Sequence, residues 1–521
     1  MDGSRALPKQ PTLTRATWRV TPLGLTAAFM LLALVVRLNG LGLRPLWLDE
    51  GYSAWFSARS WDYLWTSVPT YEPHPPFYYS LLRLWRDVTG GSTVALRSLS
   101  VLLSVLTVPV VVAASNELER QRPSGDPILS AAVAAFLVAC SPMLLALDQE
   151  ARPYPLLIFA YAVAVLGLVR LLGEFAAKGA GRWSSWAILA AGTELALWGH
   201  GLGALYAICL TAALAAAWLK PPLDRARVLR GILAGAVVTL LYVPCLLMIV
   251  GRAGDWGTGW LSWDAAKLLQ LISLYSVPYE ALTIGSAVAA LALLLMIKRA
   301  IQFGLEGSEW TSRKAILLLW WGPPLIAVAV SGLFMPIFLA RTLAPTLIPA
   351  YLAIGAAAAR IASRQERSIL LAAIALPLLV TALQVGRRPA TEEWGQVADY
   401  LKSHIAAGDQ VWLYPNDSAL PLGEAGAAML PMRGIPGDYP AIGFKGPIRA
   451  GSPAVVSLTA AQAVSVAHDP AAERVRTIWL VTRQSALFDP NADLPRELGQ
   501  VRRPGKLQHW GYISVQPYYL R

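Results

Sequence analysis

The chain has 521 residues, of which 55% are hydrophobic and only 15% are charged, and its mean hydropathy is +0.48. This composition excludes a soluble globular enzyme of ordinary type and predicts a protein that crosses a membrane several times. The formal net charge of +12 would suit a nucleic-acid partner. The basic residues, however, occupy alternate short loops between apolar segments, so they indicate membrane orientation and no nucleic acid is expected as a partner.

Apolar segments long enough to cross the hydrocarbon layer, which takes about 20 helical residues, follow one another along the chain. We predict eleven spans, near residues 20–40, 94–114, 128–147, 154–173, 184–200, 202–219, 229–250, 280–298, 315–334, 339–359 and 368–386. The glycine-rich junction at 199–203 also suits a single broken helix. Arg5, Lys9, Arg15 and Arg19 precede the first span, so the amino terminus is predicted to be cytoplasmic and the carboxyl terminus to be outside.

Two regions are predicted to lie outside the membrane. Residues 43–93 form an aromatic-rich outer loop within the membrane unit 1–386, and residues 387–521 form a tail of ordinary globular composition. In the tail, TEEWGQVADYLKSHI has the pattern of an amphipathic helix with Thr391 as its cap, and VWLYP, RTIWLVT and YISVQPYYL are typical of strands. We therefore predict a small α/β domain on the outer face, which either guides an acceptor or only stabilises the bundle.

The first outer loop opens with an acidic pair. Asp49 and Glu50 are followed by a run of aromatic residues that begins with Tyr52. This pattern suits helices that lie in the membrane interface and hold the two carboxylates at the bilayer surface. A solvated acidic first turn of a helix is the alternative interpretation.

The same loop continues with YEPHPPFYYSLLRLW. Pro75 and Pro76 exclude a helix through that point, so Glu72 and His74 are predicted to lie on an extended corner. Alternate residues of an extended segment project to one side, where the two could share a cation or a phosphate. A structural histidine at the corner explains the same residues.

A short outer loop, SPMLLALDQEARPYPLL, joins the third and fourth spans. Asp148 and Glu150 lie two residues apart, and Arg152 and Tyr154 follow. Such a group could bind an anion, or it could form an interfacial salt bridge. Glu194 and His200, in and after the fifth span, approach the same face, and an acid at membrane depth is a site candidate unless it belongs to a packed pair.

The combination of LWLDEGYSAW, EPHPPFYY and SPMLLALDQEARPYPLL, in that order, resembles bacterial membrane glycosyltransferases of the GT-C superfamily. The likeness is greatest to the protein O-mannosyltransferases and the lipid A aminoarabinose transferases. It covers roughly the first 210 residues, includes LWGHGLG, and continues weakly through FMPIFLARTLAPTLIPAYLAIG to TEEWGQVADYL. The resemblance implies a helical GT-C bundle in the inner membrane of a bacterium, whose donors are sugars on a polyprenyl phosphate and whose transfer usually inverts the anomeric centre.

The resemblance also implies roles for individual residues. Asp49 matches the catalytic carboxylate and Glu50 its companion, while Glu72 and His74 match the acidic and histidine positions before the double proline. Arg341 matches an arginine that would bind the donor phosphate, although Thr342 stands where relatives often have an aromatic residue.

The residues themselves suit this chemistry. A carboxylate such as Asp49 can take the proton of an acceptor hydroxyl, and arginine, histidine or a cation can stabilise the departing phosphate. We expect Arg152, His200, Arg341 and His74 to bind the donor phosphate, with Tyr52, Tyr154 and Glu194 also in the pocket. A divalent metal cation is an optional cofactor, with Glu72, His74, Asp148 and Glu150 as candidate ligands.

Partners expected on this interpretation are the lipid-linked sugar, membrane lipids and an acceptor lipid, glycan or protein. Two other functions share the apolar spans. A transporter or flippase of lipid-linked sugars would need polar groups at the midplane and repeated halves, and neither is seen. An oligosaccharyltransferase with a pyrophosphate donor would suit Asp148 and Glu150, but the outer tail lacks a Trp-Trp-Asp motif.

Overall fold

A computed structural model of the protein describes residues 21–121, 125–220, 224–251, 263–275, 284–444 and 454–521. The basic residues before the first predicted span lie outside these ranges. The longer helices in the membrane part are α1 (Pro22–Leu38), α2 (Leu48–Ser57), α3 (Trp61–Thr66), α4 (Phe77–Thr89), α5 (Thr93–Gln121), α6 (Pro127–Cys140), α7 (Pro142–Asp148), α8 (Tyr154–Ala176), α9 (Trp183–Gly199), α10 (Gly203–Trp218), α11 (Arg225–Val250), α12 (Leu269–Tyr275), α13 (Ile284–Leu305), α14 (Ser312–Leu333), α15 (Leu347–Ala358) and α16 (Arg364–Val385).

In the part of the chain that the structure describes, every predicted span overlaps a helix or a pair of joined helices, and residues 280–283 of the eighth span lie outside that part. Within the described residues, six helices are each long and apolar enough to cross a membrane, and a seventh span results if the bent pair α6 and α7 is counted as one. The helices α1 and α10 are apolar but shorter. The predicted class, a helical polytopic membrane protein with a carboxyl-terminal α/β domain, is confirmed, while the count of eleven stays a prediction.

Two breaks between helices place polar residues at one end of the bundle. Pro142 ends α6, and Ser141 caps α7 by accepting a hydrogen bond from the Leu144 amide at 3.4 Å, so the pair bends by 52°. The chain also breaks between α9 and α10. Gly203 allows the close approach of the two helices there, because a Cβ atom at this position would sit 2.0 Å from the Ala196 carbonyl oxygen. His200 is held in this second break.

The outer loop folds as three short helices, α2 to α4, around a core of aromatic side chains. Phe56, Tyr71, Tyr78 and Tyr79 are all fully buried there. The double proline stops the chain from being helical until Phe77, as the sequence predicts. This packing gives the residues on α2 a fixed position relative to the bundle.

The carboxyl-terminal domain contains one mixed sheet. Its strands are β1 (Gln410–Tyr414), β2 (Met432–Gly434), β3 (Thr477–Arg483), β4 (Arg503–Pro504), β5 (Gln508–Trp510) and β6 (Ile513–Tyr519). The order is β2-β1-β3-β6-β4, with β5 also on β6; β1 is parallel to β2 and β3, and β6 is antiparallel to β3, β4 and β5. The three predicted strands are β1, β3 and β6. Apolar side chains cover both faces, because β1 and β3 alternate between two buried clusters.

The predicted cap of the first tail helix is wrong. The helix α17 (Trp394–His404) begins three residues after Thr391, and its N-cap residue is Glu393. The reason is a β-bridge between Glu392 and Gly511, which keeps the chain extended up to that point. The first residues of the tail are thereby held against the last hairpin of the sheet.

Candidate active site

Asp49 lies near the start of α2 between two arginines from distant parts of the chain. Its carboxylate Oδ2 is 3.4 Å from Arg341 Nη2 and 3.8 Å from Arg152 Nη2, and the Asp49 side chain is 21% exposed. Arg152 also donates to the Asp49 backbone carbonyl at 2.9 Å. The fold therefore brings together three residues that the sequence analysis assigned to one site, and it leaves the carboxylate accessible.

Glu50 points away from this group and is fully buried. Its two oxygens accept hydrogen bonds from Arg97 Nε at 2.8 Å and Arg97 Nη2 at 2.7 Å, and one of them also accepts from the Ala151 amide at 2.8 Å. Arg97 in turn donates to the backbone carbonyls of Leu41 and Arg44. Both oxygens of Glu50 are thus engaged at the start of α2, and its role as the catalytic companion of Asp49 stays a prediction.

Asp148 is also withdrawn from the site. Its Oδ2 accepts from Arg37 Nε at 2.9 Å and from the Ser104 hydroxyl at 2.6 Å, and its side chain is only 2% exposed. The charge of Asp148 is thus offset by Arg37, and its role as a metal ligand stays a prediction. Sequence reasoning missed Arg37 and Arg97, yet a signal was present: an arginine in an apolar helix needs a partner, because an unpaired charge at that depth is costly.

Glu72 stabilises the extended corner of the chain on which it lies. Its Oε1 accepts from the Tyr79 hydroxyl at 2.9 Å and from the His74 backbone amide at 3.4 Å. The imidazole of His74 instead packs against that of His200, with ring centroids 4.6 Å apart. The predicted shared cation between the Glu72 and His74 side chains is not supported, because the amide and not the ring of His74 meets the carboxylate.

The two histidines are neutral donors beside the arginines. Burial, with the charge of Arg152 as a further cause, lowers the pKa of His200 to about 3, and burial together with His200 lowers the pKa of His74 well below its usual value. His200 Nδ1 accepts from the Leu202 amide at 3.0 Å, so the proton of the neutral ring belongs on Nε2. The ring of Tyr154 also packs against His200, tilted by 40°, with ring centroids 5.4 Å apart.

Several buried N–H groups around Asp49 have no hydrogen-bond partner among the residues that the structure describes. They are Nε of Arg152, Nε of Arg341, Nε2 of His200 and Nε1 of Trp47. Buried donors without acceptors are rare in proteins and need an explanation. Their grouping next to two guanidinium ions indicates that this site accepts an anion rich in oxygen atoms.

A cavity of about 250 Å³ adjoins this group. Its charged lining residues are Arg44, Glu50, Arg97, Glu150, Arg341 and Glu392. Burial and the neighbouring Glu50 raise the pKa of Glu150 to about 8, and Glu150 Oε2 has no hydrogen-bond partner within the described ranges. This raised pKa favours the protonated form of the Glu150 carboxyl near neutral pH. Thr391, which the sequence suggested as a helix cap, also lines this cavity.

The carboxyl-terminal domain forms hydrogen bonds with α2, the helix that carries Asp49. Glu392 accepts from the Leu48 amide at 2.9 Å and from the Trp394 indole at 2.8 Å, and its other oxygen lies 3.4 Å from Arg483 Nη1. The Tyr52 hydroxyl donates to Asp417 at 2.6 Å, so this residue joins α2 to the sheet domain, and it is not among the residues lining the cavity. Sequence reasoning had no signal for Glu392, since its partner is 344 residues away.

Glu194 lies outside this arrangement. It is on α9, faces Tyr242 and Cys245 of α11, and is not among the residues that line the cavity beside Asp49. The prediction that Glu194 belongs to the same pocket is therefore not supported by its position.

The described residues do not offer a metal site. They contain no group of three or more His, Cys, Asp or Glu side chains arranged to hold a metal ion. The nearby carboxylates face arginines: Asp49 faces Arg152 and Arg341, and Glu50 faces Arg97. The guanidinium groups thus lie beside these carboxylates, where a metal cation would otherwise bind. These carboxylates therefore do not form a ligand set that fits a divalent metal.

The arrangement of the bundle, the helical loop 43–93 and the small sheet domain matches the fold of several solved proteins that share little sequence with this chain. The chain is similar to ArnT from Cupriavidus metallidurans in the apo state, with a TM-score of 0.61 at 13% identity, over 95% of this chain and 98% of that one. The structure of ArnT bound to undecaprenyl phosphate gives a TM-score of 0.60 at 14% identity, again over 95% of this chain and 98% of that one.

An oligosaccharyltransferase from Archaeoglobus fulgidus, in complex with Zn and sulfate, gives a TM-score of 0.55 at 14% identity, over 90% of this chain and 70% of that one. No protein-family model matches the sequence, and no curated protein matches it either. At these identities the likeness establishes the fold, as the sequence resemblance predicted, and the chemistry has to be argued from the site.

Proposed function

We propose that the protein is a glycosyltransferase that moves a sugar from a polyprenyl phosphate to an acceptor hydroxyl at the outer face of the bacterial inner membrane. The observation that carries the proposal is the accessible carboxylate of Asp49, held between Arg152 and Arg341 beside buried N–H groups without partners. The solved relative ArnT is described with undecaprenyl phosphate bound, which supports a donor of this class.

The charges of the site suit one phosphodiester. Glu50 and Arg97 neutralise each other, and Glu150 is uncharged at pH 7 because its pKa is raised to about 8. Arg152 and Arg341 face the single charge of Asp49, so these three residues together carry one net positive charge. A sugar linked through a phosphodiester to a polyprenol carries one negative charge, which balances the site.

The distances allow Arg152 and Arg341 to bind the donor phosphate while they stay beside Asp49. Their separations from Asp49 Oδ2, 3.4 Å for Arg341 and 3.8 Å for Arg152, are longer than a good charge-assisted hydrogen bond. Each guanidinium also keeps an Nε–H without a partner in the described residues. We expect these N–H groups, with Nε2–H of His200, to bind the phosphate oxygens and to stabilise the charge that gathers as the sugar leaves.

Asp49 is assigned as the general base. The acceptor oxygen attacks the anomeric carbon as the bond from that carbon to the phosphate oxygen breaks, and Asp49 takes the hydroxyl proton. Displacement from the face opposite the phosphate inverts the anomeric centre. The cavity lined by Thr391 and Glu392 on the side of the outer domain gives the acceptor a path that does not pass through the lipid.

The test compares Asp49→Asn with Asp62→Asn, which changes an exposed acid in the same loop. Each variant is purified and incubated with a radiolabelled polyprenyl-phosphate sugar and a membrane extract as the acceptor source. We expect Asp49→Asn to lower turnover at least about a hundredfold, as the loss of a general base does, while donor binding persists. Undiminished turnover in Asp49→Asn would remove this residue from the base role.

The same assay separates the transporter alternative. A transporter moves the lipid-linked sugar across the bilayer with its phosphate bond intact, whereas a transferase releases free polyprenyl phosphate. Sugar that moves between leaflets without release of polyprenyl phosphate would therefore contradict the proposed activity.

A further inference from the structure

The protein has a second cavity at the other end of its bundle, far from Asp49. This cavity, of about 670 Å³, is lined by residues at the ends of α8, α10, α13 and α14, among them Phe175, Ala217, Phe303 and Trp310. The helix α8 begins at Tyr154 beside the active site and has 23 residues. At about 1.5 Å per residue, the two ends lie roughly 35 Å apart, which is the thickness of the hydrocarbon layer. Under the orientation predicted from charge, the second cavity lies at the cytoplasmic leaflet.

We propose that this cavity binds the phosphate-bearing headgroup of an anionic lipid. Four basic side chains line it, from Lys178, Lys220, Arg227 and Arg313, against two carboxylates, from Asp224 and Glu309. Arg313 is also paired with Glu306, just outside the lining, at 2.6 Å, so four basic side chains face three carboxylates and one positive charge is in excess. Basic pockets between helices at the cytoplasmic side of a membrane are suited to anionic lipid headgroups.

The charged side chains that line this cavity differ in how deeply they are buried. Arg313 and Arg227 are nearly buried, at 5% and 8% exposure, and form the floor. Lys220 and Glu309 pair with each other at the rim, where their side chains are 54% and 68% exposed. A charged headgroup could therefore enter from the membrane surface at the exposed rim. Its phosphate would then lose water as it reaches the buried guanidinium groups.

Two donors of the lining are available to a ligand. The hydroxyl of Thr311 is buried and has no hydrogen-bond partner among the described residues. The exposed ammonium group of Lys178 makes no ion pair with any described residue. A hydroxyl and an ammonium group match the oxygen atoms of a phosphodiester, which accepts hydrogen bonds and donates none.

The apolar side of the cavity favours a lipid over free phosphate. Leu118, Leu172, Phe175, Phe303 and Trp310 contribute to the lining beside the charged groups. Inorganic phosphate would use only the basic residues and would leave this wall in contact with water. A headgroup with attached acyl chains would cover the wall and meet the basic residues at the same time.

The experiment measures binding of phosphatidylglycerol, phosphatidylcholine and inorganic phosphate to the detergent-purified full chain by native mass spectrometry and thermal unfolding. We expect phosphatidylglycerol to bind and to raise the melting temperature, and the other two to do neither. In Lys178→Gln and Lys220→Gln, which change exposed residues, the affinity should fall about fivefold for each charge removed. Arg182→Gln is the matched control, because Arg182 is 84% exposed and is not in the lining.

The active site provides a second control, since it also attracts phosphates. Binding of phosphatidylglycerol should persist in Arg341→Met, which removes a cation only from the outer site. Equal binding of phosphatidylcholine, an equal loss in Arg182→Gln, or loss of binding in Arg341→Met would each overturn the proposal. Stabilisation by inorganic phosphate equal to that by phosphatidylglycerol would also overturn it, in favour of a site for soluble anions.

Discussion

The ion pair between Glu50 and Arg97 should decide whether α2 holds Asp49 in place. Both side chains are buried, at 0% and 2% exposure, and two hydrogen bonds of 2.7 and 2.8 Å join them. In Glu50→Gln the guanidinium keeps its place in the protein interior but loses its counter-charge. Breaking one partner of a buried pair costs about 3–5 kcal/mol. We expect Glu50→Gln near the lower end of that range, since the amide oxygen can still accept one hydrogen bond, and Glu50→Ala near the upper end.

The assay is a double-mutant cycle read by thermal unfolding in detergent. Glu50→Gln, Arg97→Gln and the double variant are compared with the parent protein. If the pair is an anchor, the double variant loses much less than the sum of the single losses, because neither charge is then left alone. The control is Glu117→Gln, which breaks an ion pair whose arginine is 76% exposed and should change stability by no more than about 1 kcal/mol.

One pattern of results would refute this reasoning. If Arg97→Gln melted like the parent protein while Glu50→Gln lost turnover at an unchanged melting temperature, Glu50 would act in the chemistry. The catalytic role predicted from the sequence would then stand, and the anchoring role would be wrong.

Three further changes test the site. Because the pKa of Glu150 is raised to about 8, its proton stabilises the native state below its unfolded pKa of about 4.3, and this stability is lost as the pH rises through about 8. Glu150→Gln should therefore melt at a higher temperature than the parent protein at pH 9. We also expect donor binding by the parent protein to weaken between pH 7 and 9, and this weakening should be absent in Glu150→Gln. Identical pH profiles of the two proteins would contradict this. Glu392→Ala removes a cap of α2 and the nearer carboxylate of the buried Arg483, so it should cost about 3–5 kcal/mol and lower both the melting temperature and kcat. An unchanged kcat would separate Asp49 from the carboxyl-terminal domain. Arg341→Lys loses the planar fork and should raise KM for the donor about tenfold in steady-state kinetics, whereas an unchanged KM would place the phosphate elsewhere.

Part of the active site was accessible from sequence motifs. Asp49, Arg152 and Arg341 were assigned to one site from the resemblance and the predicted outer loops, and the structure places each arginine within 4 Å of the Asp49 carboxylate. Sequence motifs did not indicate how two other predicted site residues, Glu50 and Asp148, are paired. Glu50 and Asp148 look equivalent to Asp49 in the sequence, but each has a buried arginine partner that no local pattern reveals.

The sequence alone determined the class of protein and the helices of its membrane part. A backbone in lipid has to satisfy its hydrogen bonds within one helix, so long apolar runs specify helices without reference to the rest of the chain. The strands of the outer domain were predictable for a similar local reason, since β-branched and aromatic residues were grouped in short runs.

Tertiary structure alone decided which acids are buried against an arginine and which one stays accessible. The carboxylate of Glu392 meets the amide of Leu48 across 344 residues, and that of Asp148 meets Arg37 across 111. Contacts at such separations depend on how helices pack, and packing is a property of complementary shapes that a residue pattern does not contain. Burial then sets the charge of each group, so that Glu150 is held neutral, although Asp49 and Glu150 are both acids of outer loops with similar sequence surroundings.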